Sequence, residues 1–167
     1  MNYTTRLATL NDIPAIREIY NQGIEDRVAT LETRLRTDED MKEWLINRSD
    51  QHRVLVIQDD AKIVHGWASL NVFNSRCCYS GVVDISVYVR RDMQGKGLGK
   101  ILLQALIQTA KNQGFHKLVL STFEFNEAGQ RLYKSVGFRK VGTYIQQGIL
   151  DGKWIDVTIM ERLLQDR

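Results

Sequence analysis

The chain has 167 residues, with 23 Lys and Arg against 20 Asp and Glu for a net charge of +3, and 43% apolar, 26% charged and 8% aromatic residues with a single proline. That length suits one domain over residues 1–167, able to bury about 70% of its unfolded surface without disulfide or metal staples, and the composition excludes disordered, collagen-like and low-complexity classes. The small positive excess does not make nucleic acid the default partner, but it is compatible with an anionic small-molecule ligand.

The first predicted strand is Tyr3–Ala8, where polar and apolar residues alternate. Asn11 or Asp12 then caps a helix with Pro14 in its first turn and Ile13, Ile16, Ile19 and Tyr20 on one face. Thr37 opens a second helix, with acidic residues in its first turn and Met41, Trp44 and Leu45 as its apolar stripe. Arg53–Gln58 and Lys62–Phe73 read as strands joined at Asp59–Asp60, and Val82–Val89 follows the polar loop Asn74–Gly81. A long helix is predicted over Leu98–Gln113, striped by Leu98, Ile101, Leu102, Ala105, Leu106 and Ala110 and stopped at Gly114.

Lys117–Phe123 is the next strand. Asn126 caps a shorter helix ending at Gly137, with Phe138 as the apolar partner of a Schellman end. Arg139–Gln147 and Lys153–Leu163 are the last two strands, flanking a turn at Leu150–Asp151–Gly152. The order β-α-α-β-β-β-α-β-α-β-β predicts an α+β fold: a central mixed, mostly antiparallel twisted sheet with helices on both faces.

No apolar run approaches the roughly 18 residues of a membrane span, and the N-terminal segment lacks the apolar core of a signal peptide. Cys77 and Cys78 are adjacent, a poor geometry for pairing with each other, so a reduced cytoplasmic setting is expected. His52, His65 and His116 are scattered, and no metal is expected.

The segment richest in chemistry is Arg90–Lys100, RRDMQGKGLGK, between the strand ending at Val89 and the long helix. Glycines there let backbone N–H groups turn toward a ligand, and the helix N-terminus adds partial positive charge; an anion, foremost a pyrophosphate, is favoured. The Walker pattern fails because Gln94 stands where its first glycine would be and Ile101 follows Lys100. The dinucleotide pattern fails because Gly95 and Gly97 lead to Lys100, and Gly97 and Gly99 to Leu102.

Gln94-x-x-Gly97-x-Gly99 resembles the Q/R-x-x-G-x-G/A signature of the GCN5-related N-acetyltransferases (GNAT). Asn126-Glu127-Ala128, Leu132-Tyr133 and Gly137-Phe138 resemble that superfamily's second signature. Arg76-x-x-Tyr79, Asp84–Val89, Gly152–Val157 and Ile19-Tyr20-Asn21 are similar to its phosphinothricin and methionine sulfoximine N-acetyltransferase branch.

The resemblance implies acetyl-CoA as cosubstrate, a small amino-acid-like amine as acceptor, direct attack without an acyl-enzyme, and a homodimer. Residues Gln94, Gly95, Lys96, Gly97, Leu98, Gly99 and Lys100 would hold the pyrophosphate. Val87, Tyr88 and Val89 would pair with the pantetheine arm, with the Val87 N–H as oxyanion donor, and Asn126 would contact that arm besides capping its helix.

Asp84, a carboxylate within an apolar strand, is the candidate base, because desolvation raises a carboxyl pKa; the resembled branch usually has Glu there. The alternative is a strand-end carboxylate paired with an arginine. Tyr133 is the candidate acid for the thiolate, or else an amphipathic core tyrosine. Arg76, with Tyr79 nearby, would clamp a substrate carboxylate; the alternative is a solvated loop arginine. Trp154 and Asp156 would shape the pocket or a dimer interface. The competing functions are acetylation of a protein N-terminus or of a polyamine, with Glu25, Asp26 and Glu32 as possible pocket acids, and a non-catalytic acyl-CoA-binding module.

Overall fold

The computed structural model describes residues 2–164. Their elements are β1 (Thr4–Leu7), α1 (Ile13–Asp26), α2 (Asp38–Ile46), β2 (Val54–Gln58), β3 (Val64–Val72), β4 (Val82–Val89), α3 (Leu98–Asn112), β5 (Lys117–Phe123), α4 (Glu127–Ser135), β6 (Arg139–Leu150) and β7 (Lys153–Leu163). The element order is the one the sequence predicts. The strands form one sheet in the order β1-β2-β3-β4-β5-β7-β6, antiparallel except for the β4–β5 pair. This is the α+β architecture expected.

The two sheet faces carry different helices. α3 packs through Leu98, Leu102, Leu103, Leu106, Ile107 and Ala110 on Leu55, Ile57, Ala68, Leu70, Val83 and Ile85; each such large side chain contributes about 1.5–3 kcal/mol by leaving water. α1 and α2 cover the opposite face, with Ile13, Ile16, Ile19 and Met41 against Val54, Val56, Val64 and Trp67. The stripe predicted for α3 is displaced: Ile101 is exposed, and Leu103 and Ile107 are buried instead. The cause is orientation, because the buried face is the one turned toward the strands, and one-dimensional periodicity leaves that rotation open.

Local signals explain most boundaries. Thr37 caps α2, with Asp40 returning a hydrogen bond to the Thr37 N–H. The predicted Asp12 cap does not act on α1. Its carboxylate turns back to Arg6 (2.8 and 2.9 Å) and to the Thr9 N–H (2.8 Å) instead, tying the helix entry to β1. α3 and α4 both end in Schellman geometry: the Phe115 N–H donates to the Ala110 carbonyl and the Phe138 N–H to the Tyr133 carbonyl. β6 runs on to Leu150, beyond the predicted Gln147, because bulges between Lys140 and Gly142 and between Tyr144 and Gly148 interrupt the alternation. Among the described residues no helix is long and apolar enough to cross a membrane.

The feature that positions a site is where β4 and β5 part. They pair only from Val82↔Lys117 to Asp84↔Val119, so Ile85–Val89 pair with β3 on one side and leave the other edge open.

Candidate active site

The backbone along the open edge can be oriented from its ladder. The Arg90 N–H donates to the His65 carbonyl at 2.7 Å, and the register continues as Tyr88↔Trp67, Val87↔Ala68 and Ser86↔Ser69. Opposed antiparallel residues alternate between bonded and non-bonded pairs, so Val87 and Val89 direct their N–H and C=O away from β3, into the gap. The Val89 carbonyl accepting Gln94 Nε2 (3.4 Å) fits that direction.

Past the end of β4 the chain forms the glycine turn. Gly95 and Gly97 sit at φ +78° and +84°, left-handed values that only glycine adopts without strain, and a Cβ on either would meet open space. Gly97 is the N-cap of α3, so the first N–H groups of that helix face the turn. The turn is braced from α1: Arg90 pairs with Glu18 (3.1 Å), Arg91 with Asp26 (2.7 Å), and the Arg91 N–H donates to Gln22 (2.8 Å).

A cavity of about 390 Å³ unites the two signature segments. Val87 and Val89 form one wall, Gln94, Gly95, Gly97, Leu98, Gly99 and Lys100 its base, and Asn126, Leu132 and Tyr133 the other wall. An elongated thioester with an anionic end fits this shape: backbone donors at the helix start for the phosphates, apolar valines and a free strand edge for an amide-bearing arm.

Two residues predicted for this set lie elsewhere. Lys96 is exposed beside Met93 rather than in the cavity wall. Tyr88 sends its ring to the opposite face, stacked on Trp67 (4.8 Å between centroids) and edge-on to Tyr20 (5.1 Å), because β4 side chains alternate. Asn126 spends both ends of its amide locally: Oδ1 accepts the Gly129 N–H (3.0 Å) and Nδ2 donates to Thr122 (3.2 Å).

Asp84, Ser86 and Tyr88 share the α1–α2 face, opposite Asn71, Ser69 and Trp67. A second cavity, of about 420 Å³, lies there, lined among others by Tyr20, Arg34, Arg36, Trp67, Ser86 and Tyr88. Asn21 holds its rim: the amide is bonded both ways to the backbone of Arg36, at 2.8 and 2.9 Å. Gly23 on α1 makes room for Tyr88, whose ring carbon Cε1 would stand 2.9 Å from a Cβ there. Sequence reasoning missed this aromatic and arginine-lined cavity, although the alternation Asp84-Ser86-Tyr88 was a usable signal.

Burial raises the Asp84 carboxyl to about 6, and the Asn71 amide opposite offsets part of that rise. Among the described residues no cation pairs with Asp84, so the alternative of a strand-end carboxylate paired with arginine does not describe it there. Burial pushes the Tyr133 phenol up to about 12, leaving it a proton donor at neutral pH. The Tyr88 phenol is raised further, with the charges of Asp84, Tyr133, Tyr20 and Glu32 all adding to burial; Asp84 itself lines neither cavity.

Tyr79 ends the turn Cys77–Tyr79 between β3 and β4, and Arg76 immediately precedes that turn. Tyr79 is exposed, edge-on to Phe73, and neither residue lines either cavity described above. Trp154 is exposed, and Asp156 accepts the Gln146 N–H (2.7 Å), pinning the β6 bulge. Among the described residues no cluster of three or more His, Cys, Asp or Glu could hold a metal.

Comparison with known proteins gives the family. Residues 5–159 match the family of acetyltransferase (GNAT) domains. The chain is 36% identical over 162 residues to an L-methionine sulfoximine/L-methionine sulfone acetyltransferase of Pseudomonas aeruginosa, covering 96% of this chain and 94% of that protein. It is similar to the structure of an acetyltransferase from Salmonella typhimurium with its cofactor acetyl-CoA, with a TM-score of 0.94, 34% identity, and 100% and 96% of the two chains covered. A GNAT superfamily phosphinothricin acetyltransferase from Sinorhizobium meliloti in complex with acetyl-CoA gives 0.90 at 27% identity, covering 98% of this chain and 89% of that one. The chain therefore belongs to the GNAT family and is an acetyl-CoA-dependent N-acetyltransferase.

Proposed function

We propose that residues 1–167 form one N-acetyltransferase domain that acetylates the amino group of a small amino-acid-like substrate of the methionine sulfoximine or phosphinothricin type. The observation that carries this reading is the pair of cavities on opposite faces of β4, one lined by Val87 and Val89 and the other by Ser86 and Tyr88. Acetyl-CoA enters along the α3–α4 face, its pyrophosphate on the turn Gln94–Lys100, and the amine enters from the α1–α2 face.

Asp84 takes the proton of the incoming ammonium, directly or through water, as its pKa of about 6 leaves it ionised at neutral pH. The free amine attacks the thioester carbonyl, and the outward-facing Val87 N–H stabilises the oxyanion. On collapse the C–S bond breaks and the phenol of Tyr133 protonates the departing thiolate, while the proton still on the nitrogen leaves through water and restores the phenol, giving the neutral amide. Arg76 and Tyr79 remain candidates for the substrate's carboxylate, on the loop that joins β3 to β4 beyond the Val72↔Val83 rung. The second cavity supplies Arg36 as well, with its guanidinium 5.8 Å over the Tyr20 ring.

A polyamine reading has less support, because the acids that would serve it are engaged: Asp26 with Arg91, Glu32 with Arg36. The reading includes a homodimer in the cytoplasm. The exposed Tyr144, Ile145, Ile149 and Trp154 of the β6–β7 hairpin offer apolar surface for a second copy, and the two exposed free cysteines suit a reducing compartment. Sedimentation velocity tests the dimer.

Thiol release from acetyl-CoA tests the chemistry, with a panel of methionine sulfoximine, phosphinothricin, free amino acids, polyamines and an N-terminal peptide. Turnover with the first two is expected. Turnover confined to peptide or polyamine would discard the substrate assignment, and acetyl-CoA binding without any turnover would favour the binding module.

A further inference from the structure

We infer that Asn71 is a positioning residue for Asp84, and that Arg48 locks Asn71 in the one orientation in which it can do this. The inference rests on Asp84 serving as the base proposed above.

Asn71 and Asp84 are directly opposed on β3 and β4. An amide side chain has nearly the same shape either way round, so its flip decides whether an N–H or a carbonyl oxygen faces the carboxylate. Here the flip is determined. Asn71 Oδ1 accepts from Arg48 Nη2 (2.8 Å) and from Ser69 Oγ (3.0 Å). A guanidinium can only donate, so the oxygen must point to it. Nδ2 is thereby turned to β4, where it donates to Ser86 Oγ (3.1 Å) and has a second hydrogen for the Asp84 side. That amide favours the charged form of Asp84.

Arg48 has the features of a fixed strut. Its Nε donates to the His52 carbonyl (3.0 Å), Nη2 also donates to the Leu70 carbonyl, and the guanidinium lies 4.7 Å from the Trp44 ring centroid. Among the described residues no carboxylate pairs with it, and burial lowers its pKa to about 10. An arginine that desolvates without an anionic partner weakens the fold locally. What it secures in return is the orientation of one amide, and a cation behind the carbonyl polarises the N–H at the other end.

Other charged or titratable groups surround the cavity on this side. They are Tyr88 on β4, Tyr20 on α1, Glu32, Arg34 and Arg36 between α1 and α2, and Asp40 and Glu43 on α2. β5 contributes Val119 beside Asp84, and His52 lies beyond Arg48.

The test is a pH titration of the Asp84 carboxyl by 13C NMR in the full-length protein, paired with kcat/KM for methionine sulfoximine against pH. Asn71→Ala is expected to move the Asp84 midpoint, and the acidic limb of the rate profile, upward by about one pH unit. Arg48→Met moves both in the same direction and adds nothing further in the Asn71→Ala background, the non-additivity of groups acting in series. The KM for acetyl-CoA stays constant throughout.

Asn71→Asp guards against misfolding, since the new carboxylate is isosteric and faces Arg48; it too raises the midpoint. A merely structural role for Asn71 would lower stability or rate at every pH and leave the midpoint in place, which overturns the inference. An unmoved midpoint in Arg48→Met alone removes Arg48 from it. The base assignment fails separately, by undiminished turnover in Asp84→Asn, and the NMR midpoints would still report the relay.

Discussion

Replacing Asp84 by asparagine separates what this carboxylate costs the fold from what it does for the reaction. Burial lifts its pKa from 3.8 to about 6, so the folded chain holds that proton more tightly than the unfolded chain. The stability this gives is fully present below about pH 3.8 and is lost as pH rises to about 6; above that, the ionised group is a standing cost. A separation of about two pKa units corresponds to about 3 kcal/mol. Asparagine keeps the shape without the charge, so at about pH 7.5 Asp84→Asn should be more stable than wild type by about 1–3 kcal/mol, the lower figure allowing for the amide's own desolvation.

At about pH 4.5 much of the unfolded-state difference is gone, and the gap should close by about 2 kcal/mol. Urea melts of both proteins at the two pH values measure this, because groups that titrate in both cancel in the difference. In the same variant turnover should fall by about 10²–10⁴-fold while acetyl-CoA binding, measured calorimetrically, persists. A stability gap that does not change with pH, or a variant less stable at neutral pH, would refute the picture of a desolvated, unpaired carboxylate.

Three further outcomes are expected. Gly97→Ala forces a side chain into φ +84° at the N-cap of α3 and should cost about 1–2 kcal/mol, with the KM for acetyl-CoA raised and that for the amine unchanged; unaltered acetyl-CoA kinetics would take the turn out of the binding site. Gly23→Ala places a methyl 2.9 Å from the Tyr88 ring, which is wedged between Trp67 and Tyr20. Overpacking of about 1–3 kcal/mol then outweighs the gain of about 1 kcal/mol in helix propensity, so a more stable and equally active protein would show the ring is free to move. Tyr133→Phe should lower kcat by about 10²-fold with acetyl-CoA affinity intact, and single-turnover thiol release at the wild-type rate would remove Tyr133 as the acid.

Much of the site was legible because its determinants are local. The turn Gln94–Gly99 is recognisable from glycine spacing at a strand-to-helix junction, and the Asn126 cap is an i to i+3 relation that closes within one turn. Asp84 stood out as a charge within an apolar strand, and its raised pKa follows from that setting. The surroundings of Arg76 and Tyr79 were not legible. Their spacing resembles a substrate loop, but only the fold reveals that their turn is exposed and lines neither cavity.

The sequence by itself determined the element order, the Thr37 and Asn126 caps and the glycine turn, since each rests on hydrogen bonds and periodicities within a few residues of chain, and its motifs carried the family resemblance. The tertiary structure alone decided which strands are neighbours, how far β4 pairs with β5 before leaving it, and which side chains cross the sheet to meet. Arg48, Asn71 and Asp84 are drawn from three segments and come into line through strand register. Tyr88 faces the α1–α2 cavity rather than the α3–α4 one because one residue of pleat turns a side chain to the opposite face. The β4–β5 parting has the same origin: register between strands far apart in the chain is set by the packing of both sheet faces together, which no local pattern encodes.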